Sequence, residues 1–121
     1  MSGLFDSYTL KGVTLRNRIA ASPMCQYQAV DGAVTGWHLP HYTSLARGGA
    51  GLVVVEATAV SPEGRITPGD LGLWSDAHTE GVEAIAKAIS DAGAASRASV
   101  TNAMLASGRR TSVAASTITA A

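Results

Sequence analysis

The polar and apolar positions change period several times along the chain, and each change predicts an element. Tyr8-Thr9-Leu10 and Val13-Thr14-Leu15 flank Lys11-Gly12, a pattern that predicts a short hairpin with Gly12 in the turn. Ile19-Ala20-Ala21 is apolar enough for a buried strand, which must end by Ser22-Pro23 because proline supplies no ladder donor. Asp31-Gly32 marks a turn inside a mixed loop. From Gly36 to Arg47, Trp37, His41 and Leu45 form one stripe at helical spacing and His38 and Tyr42 an adjoining one. Gly48-Gly49 stops that helix.

The next run, Gly51 to Ala57, is β-branched and continuous, as in a strand covered on both faces of a parallel sheet. Pro62, Gly64, Pro68, Gly69 and Gly72 break the segment Ser61–Leu73 into loop. Ser75-Asp76 offers an N-cap, and Val82, Ile85, Ala86 and Ile89 recur at i, i+3, i+4 and i+7, with Gly93 as the stop. Hairpin, strand, helix, strand, helix is the opening of an α/β fold with parallel strands. Two such strands cannot cover one another on both faces, so the pattern predicts the front of a larger fold.

Composition narrows the class. The chain has 121 residues, 46% hydrophobic and 15% charged, with nine basic and nine acidic side chains. That balance offers no field to attract nucleic acid or an anionic membrane. The apolar runs fall far short of the roughly 20 residues a spanning helix needs. No secretory signal pattern opens the chain, and the lone Cys25 suits a reducing compartment, so a cytoplasmic location is expected. Charge is unevenly placed: residues 1–93 carry a net of −3, and residues 94–121 a net of +3. Ala, Ser and Thr fill eighteen of the last twenty-eight positions, and all six aromatic residues precede position 75. So little large apolar surface predicts a tail over 94–121 that is weakly structured or helical only in patches, with no apolar strand after Gly93.

Candidate chemistry gathers where the two strands end. Ser22-Pro23-Met24-Cys25-Gln26-Tyr27 follows the carboxyl end of the first strand, the edge at which parallel α/β folds bind ligands. Cys25 brings a polarizable thiol and Tyr27 a phenol, although a lone cysteine is also a common small core residue. Ala57 ends the second strand on the same edge; its small side chain leaves room for a flat ring, or simply packs beneath a helix. His38 and His41 have a metal-ligating spacing, but no acid or cysteine completes a set, so core or surface helix positions are the plainer reading and no metal is expected. Gly48-Gly49-Ala50-Gly51 precedes a strand, so it is a helix stop and not a phosphate-cradling loop. Glu63 and Asp70 are too isolated to pair as acid and base.

Taken together, Leu10 to Ile19 and Ser22 to Tyr27 closely resemble the amino end of Old Yellow Enzyme-type flavin oxidoreductases. Trp37-His38, His41-Tyr42, Ala46 to Gly51, Glu56 to Val60, Pro62 to Arg65 and Trp74-Ser75-Asp76 continue the likeness in order, over about residues 3–93. Cys25, where the yeast-like branch has threonine, is similar to the xenobiotic-reductase and YqjM-like branch. The resemblance implies the amino-terminal portion of a (β/α)8 TIM barrel, here a hairpin plus about two βα units. It implies FMN at the carboxyl face, NAD(P)H as hydride donor and a small activated alkene (an enone) as substrate. Ser22, Pro23, Met24, Cys25 and Ala57 would line the flavin, Cys25 tuning its potential. Tyr27 would reach the substrate's activating group, and the hairpin would cap the far end of the barrel. A full-length parent could form a homo-oligomer.

The likeness fades after Gly93. No flavin-contacting glutamine follows, and the paired substrate histidines, the tyrosine proton donor and the arginine for the flavin phosphate belong to later strands. A GC-rich coding stretch read in a shifted frame would account for the Ala/Ser/Thr/Arg bias of 94–121. Two βα units are a quarter of the eight in a full barrel of about 250 residues. The chain is therefore expected to bind FMN weakly and to be inactive alone. The competing reading is a non-enzymatic small α/β remnant, or a subunit that assembles with complementary pieces.

Overall fold

A computed structural model describes residues 3–101 of the chain. The predicted hairpin is β1 (Tyr8–Leu10) and β2 (Val13–Leu15), antiparallel with Leu10 opposite Val13. Lys11 and Gly12 both take positive φ, +46° and +80°, which gives the tight turn a twist matching that of its strands. A second sheet holds β3 (Ala20–Ala21), β4 (Leu52–Ala59), β5 (Leu71–Gly72) and β6 (Ala95–Thr101). Every pairing in it is parallel. β4 is central: β3 lies against its start, β5 against its end on the same path, and β6 runs along its other edge.

Two helices make the crossovers. α1 (His38–Arg47) joins β3 to β4, and α2 (Thr79–Asp91) leads into β6. Pro40 sits in the first turn of α1, where its missing N–H costs no helical bond. The stripe Val82, Ile85, Ala86 and Ile89 is buried as its spacing predicts. Ile85 and Ile89 pack with Tyr42 and Ala46 of α1 and with Val53 and Val55 of β4. α2 ends as expected at Gly93, with φ +89°. The Gly93 amide returns to the Ser90 carbonyl and the Ala94 amide to Ile89, a closure only a left-handed residue permits.

Two sequence expectations change. The segment after Gly93, read as weakly structured, opens with β6, which pairs in register with β4 from Leu52↔Ala95 to Ala59↔Thr101. Its small residues carry no apolar signal. The strand forms because the backbone ladder along β4 supplies the bonds whatever the side chains are. The rest of the proposed tail, 102–121, lies outside the described residues. Within Ser61–Leu73, read as loop throughout, Leu71 and Gly72 add a short strand and Pro62–Gly64 a single 3-10 turn.

The amino ends of the strands are sealed from below. The Arg16 guanidinium, just past the hairpin, donates to the carbonyls of Ala46, Ala50 and Ala92, at the C-termini of both helices. Asn17 donates to the Gly49 carbonyl and accepts from the Ile19 amide. A side chain at Gly51 would strike Asn17, since a Cβ there would lie 2.6 Å from its carbonyl oxygen. Arg16 and Asn17, which follow the hairpin, therefore bind at the end of the sheet opposite the carboxyl edge, while the hairpin strands themselves are mostly exposed.

Candidate active site

Because β3 and β4 are parallel and adjacent, Ser22–Tyr27 and Ala57 come to one end of the sheet. Ser22, Pro23, Met24 and Tyr27 are exposed and Cys25 is half-buried, while Ala57 is buried in the strand. Tyr27 holds φ +57°, an unusual conformation for a bulky residue, and its side chain is 58% exposed. Strain of that kind persists only where the surroundings impose it. Here Gly69 presses close: a Cβ on it would stand 2.8 Å from the Tyr27 carbonyl oxygen. The Gly69 carbonyl in turn accepts from the Ala29 amide. Buried Asp70 holds that turn in shape by accepting from the Ile66 and Thr67 amides and the Thr67 hydroxyl.

Behind the loop stands a buried polar group that pattern reading left unassigned. The register between β4 and β6 slips between Val55 and Ala57, so Glu56 is an extra residue in the strand. Val53 and Val55 pack in the helix-side core, and Glu56 also reaches the helices, meeting Tyr42. Two successive residues thus face one way. Ala57 and Ala59 are buried but outside that core cluster, as expected for residues returned to the opposite face.

Glu56 is fully buried and accepts from several directions. Its Oε2 takes the Gln26 amide at 3.1 Å, and its Oε1 takes the Tyr42 hydroxyl at 2.8 Å. The Tyr42 oxygen itself accepts from the Glu56 amide at 2.9 Å, which leaves its proton for the carboxylate. Burial raises the Tyr42 phenol well above its ordinary range, so the hydroxyl stays a donor. His38 completes the group. Its Nδ1 accepts from the Thr35 amide at 3.0 Å, which sets the proton on Nε2, and Nε2 lies 3.7 Å from Oε1 with no other partner among the described residues. Burial pushes His38 below its usual 6.5, only partly offset by the Glu56 carboxylate. Desolvation wins, so this contact is a neutral N–H directed at a carboxylate and not an ion pair.

Gln26 extends the network outward. Its Nε2 donates to the Met24 carbonyl, and its Oε1 accepts from the Trp37 indole. His41, the other half of the metal-like spacing, stacks edge-on against Tyr42. Among the described residues, no three His, Cys, Asp or Glu side chains converge as metal ligands. The motif reading named the loop and Ala57 as candidates but gave no role to the pair Glu56–Tyr42 behind them. The available signal was a carboxylate inside an otherwise apolar run, a burial too costly to be incidental.

The rim presents main-chain donors toward which a ligand's polar edge could turn. Among the described residues, the amides of Met24 and Cys25 have no protein acceptor, and they stand beside a thioether and a thiol. Three parallel strands joined by helical crossovers, with the Ser22–Tyr27 loop at the carboxyl end of the first, are the front of a (β/α) barrel. A family model described as the NADH:flavin oxidoreductase / NADH oxidase family matches residues 3–111, and the chain belongs to that family. It is 57% identical over 81 residues to the NADPH dehydrogenase of Halalkalibacterium halodurans, covering 65% of this chain and 24% of that relative. It is 60% identical over 80 residues to the NADPH dehydrogenase of Bacillus pumilus, covering 64% and 24%. The solved old yellow enzyme homologue of Zymomonas mobilis superposes with a TM-score of 0.76 at 33% identity, over 84% of this chain and 28% of that one. Morphinone reductase in complex with tetrahydroNAD gives 0.77 at 26% identity, over 84% and 28%. The chain spans about a quarter of the length of the curated relatives it matches.

Proposed function

We propose that residues 3–101 form the amino-terminal part of the FMN site of an NAD(P)H-dependent oxidoreductase that reduces activated alkenes. The observation that supports this most is the parallel register of β3 on β4, which brings Ser22–Cys25 and Ala57 to one rim. When bound there, FMN would supply the hydride-accepting and hydride-donating ring. Ser22, Pro23, Met24 and Cys25 would hold one side of it, with main-chain amides toward its polar edge. Ala57 would leave space where a larger residue would intrude. Cys25, polarizable and half-buried, would stand beside the ring and tune its electron affinity. Tyr27 would offer its exposed hydroxyl to the substrate's carbonyl.

This portion can touch the cofactor from one side only, so the chain alone is expected to hold FMN weakly and to lack turnover. Sub-micromolar affinity in a fluorescence titration of the chain would contradict that. The family function is tested by exchange. The matching 80 residues of the Bacillus pumilus NADPH dehydrogenase are replaced by those of this chain. The chimera is expected to purify with FMN and to oxidise NADPH in the presence of an enone. A folded, flavin-free chimera would refute the assignment of the rim.

A further inference from the structure

We propose that Glu56 is a positioning residue for the cofactor-facing loop: its carboxylate fixes the Gln26 amide and thereby places Met24, Cys25 and Tyr27. That these residues face a cofactor rests on the function proposed above; that Glu56 holds them does not.

A carboxylate buried in mid-strand is a poor stabiliser, and an apolar residue of similar size would cost the fold less. Glu56 is nonetheless fully buried, and an extra residue in β4 aims it. Tyr42 and His38 approach from α1, while the remaining oxygen points at the Gln26 amide. Among the described residues, that amide is the one main-chain N–H from Ser22 to Tyr27 that has an acceptor. Gln26 passes the constraint on, gripping the Met24 carbonyl and the Trp37 indole, and Tyr27 follows at once with its left-handed backbone. With Gly69 packed against Tyr27 from the other side, the loop is held between two fixed points. Glu56 touches no reacting group; it acts through Gln26.

The test uses the ¹⁵N-labelled 121-residue chain without flavin and compares it with Glu56→Gln. The side-chain amide has one acceptor oxygen in place of two and cannot serve Tyr42 and Gln26 together. The Gln26 amide proton is expected to move upfield. Its hydrogen exchange is expected to rise about tenfold relative to the Val53 and Val55 amides, the equivalent of one hydrogen bond of about 1.4 kcal/mol. Cys25 is expected to react faster with a disulfide reagent. An unchanged Gln26 signal, or exchange rising equally at Gln26, Val53 and Val55, overturns the proposal, because a purely structural Glu56 would loosen everything alike. Should Glu56→Gln fail to fold, Tyr42→Phe, which removes one brace of the carboxylate, is expected to give the same local pattern more weakly. A Gln26 amide indifferent to that change also overturns the proposal. A chimera that rejects flavin while Gln26 responds as described would sink the cofactor reading and leave the positioning role standing.

Discussion

Arg16 offers the clearest measure of what holds the described fold together. One guanidinium donates to Ala92 at 2.9 Å, to Ala46 at 2.5 Å and to Ala50 at 2.8 Å. Among the described residues it has no carboxylate partner, so its charge is met by carbonyl oxygens at two helix ends. Cations at a helix C-terminus contribute about 0.3–1 kcal/mol each. The bonds contribute a net of about 0.5–1 kcal/mol each, toward the lower end because Arg16 is largely exposed and water competes for the same carbonyls. The two effects overlap, and Arg16→Met is therefore expected to lose about 2 kcal/mol. Arg16→Lys keeps the charge but loses the planar fork, and should recover about half. Urea unfolding followed by circular dichroism measures both, with an unchanged dependence on denaturant as the check that only stability moved. The difference between Arg16 and Met should also shrink in high salt. A loss below about 0.5 kcal/mol for Arg16→Met, or complete recovery by lysine, would refute the argument that one fork closes both helices.

Two further predictions concern the carboxyl edge. His38 is held below its ordinary 6.5, so the unfolded chain binds its proton more readily than the folded one. Its contribution to stability is complete above about pH 6.5 and is lost as pH falls toward the lower folded value. The urea midpoint should therefore decline between about pH 6.5 and 5, before carboxylates titrate, and His38→Gln should flatten that decline. An identical slope in the variant would show that some other group is responsible. Tyr27 is strained at φ +57° yet buries little, so Tyr27→Gly should raise stability by about 0.5–1 kcal/mol. The same change in the chimera should lower enone turnover while leaving flavin bound; a destabilised Tyr27→Gly chain would argue that the ring contributes packing after all.

Periodicity made the helices and β4 legible because their burial depends on side chains. Ile85 and Ile89 are fully buried where a 3.6-residue repeat places them, and Gly93 takes the positive φ that a helix stop of this kind requires. Of the two stripes on α1, the fully buried one is His38, Tyr42 and Ala46, while in the other Leu45 packs at the core's margin and Trp37 turns outward to hold Gln26. β6 was illegible because Ala95, Ser96 and their neighbours contribute ladder bonds and not apolar area. The parallel rim carrying Ser22–Cys25 and Ala57 could be read from strand order alone. Its supports could not: the Gln26–Glu56 bond joins residues 30 positions apart, and a carboxylate inside an apolar run marks Glu56 without naming its partner.

The extra residue in β4 connects these observations. Strict alternation from Val53 and Val55 would place Ala57 in the helix-packed core and turn Glu56 away from Tyr42. The slip at Glu56 reverses both outcomes with one residue. It sends the carboxylate toward α1, where Tyr42 and His38 can meet it and its second oxygen can reach the loop after β3. It also resets the phase of the strand, so that the small side chain at position 57 leaves the helix side. A loop held at Gln26 and an Ala57 turned away from the helix-side core are then consequences of a single irregularity, and neither could be built by a regular strand with the same residues in the same order.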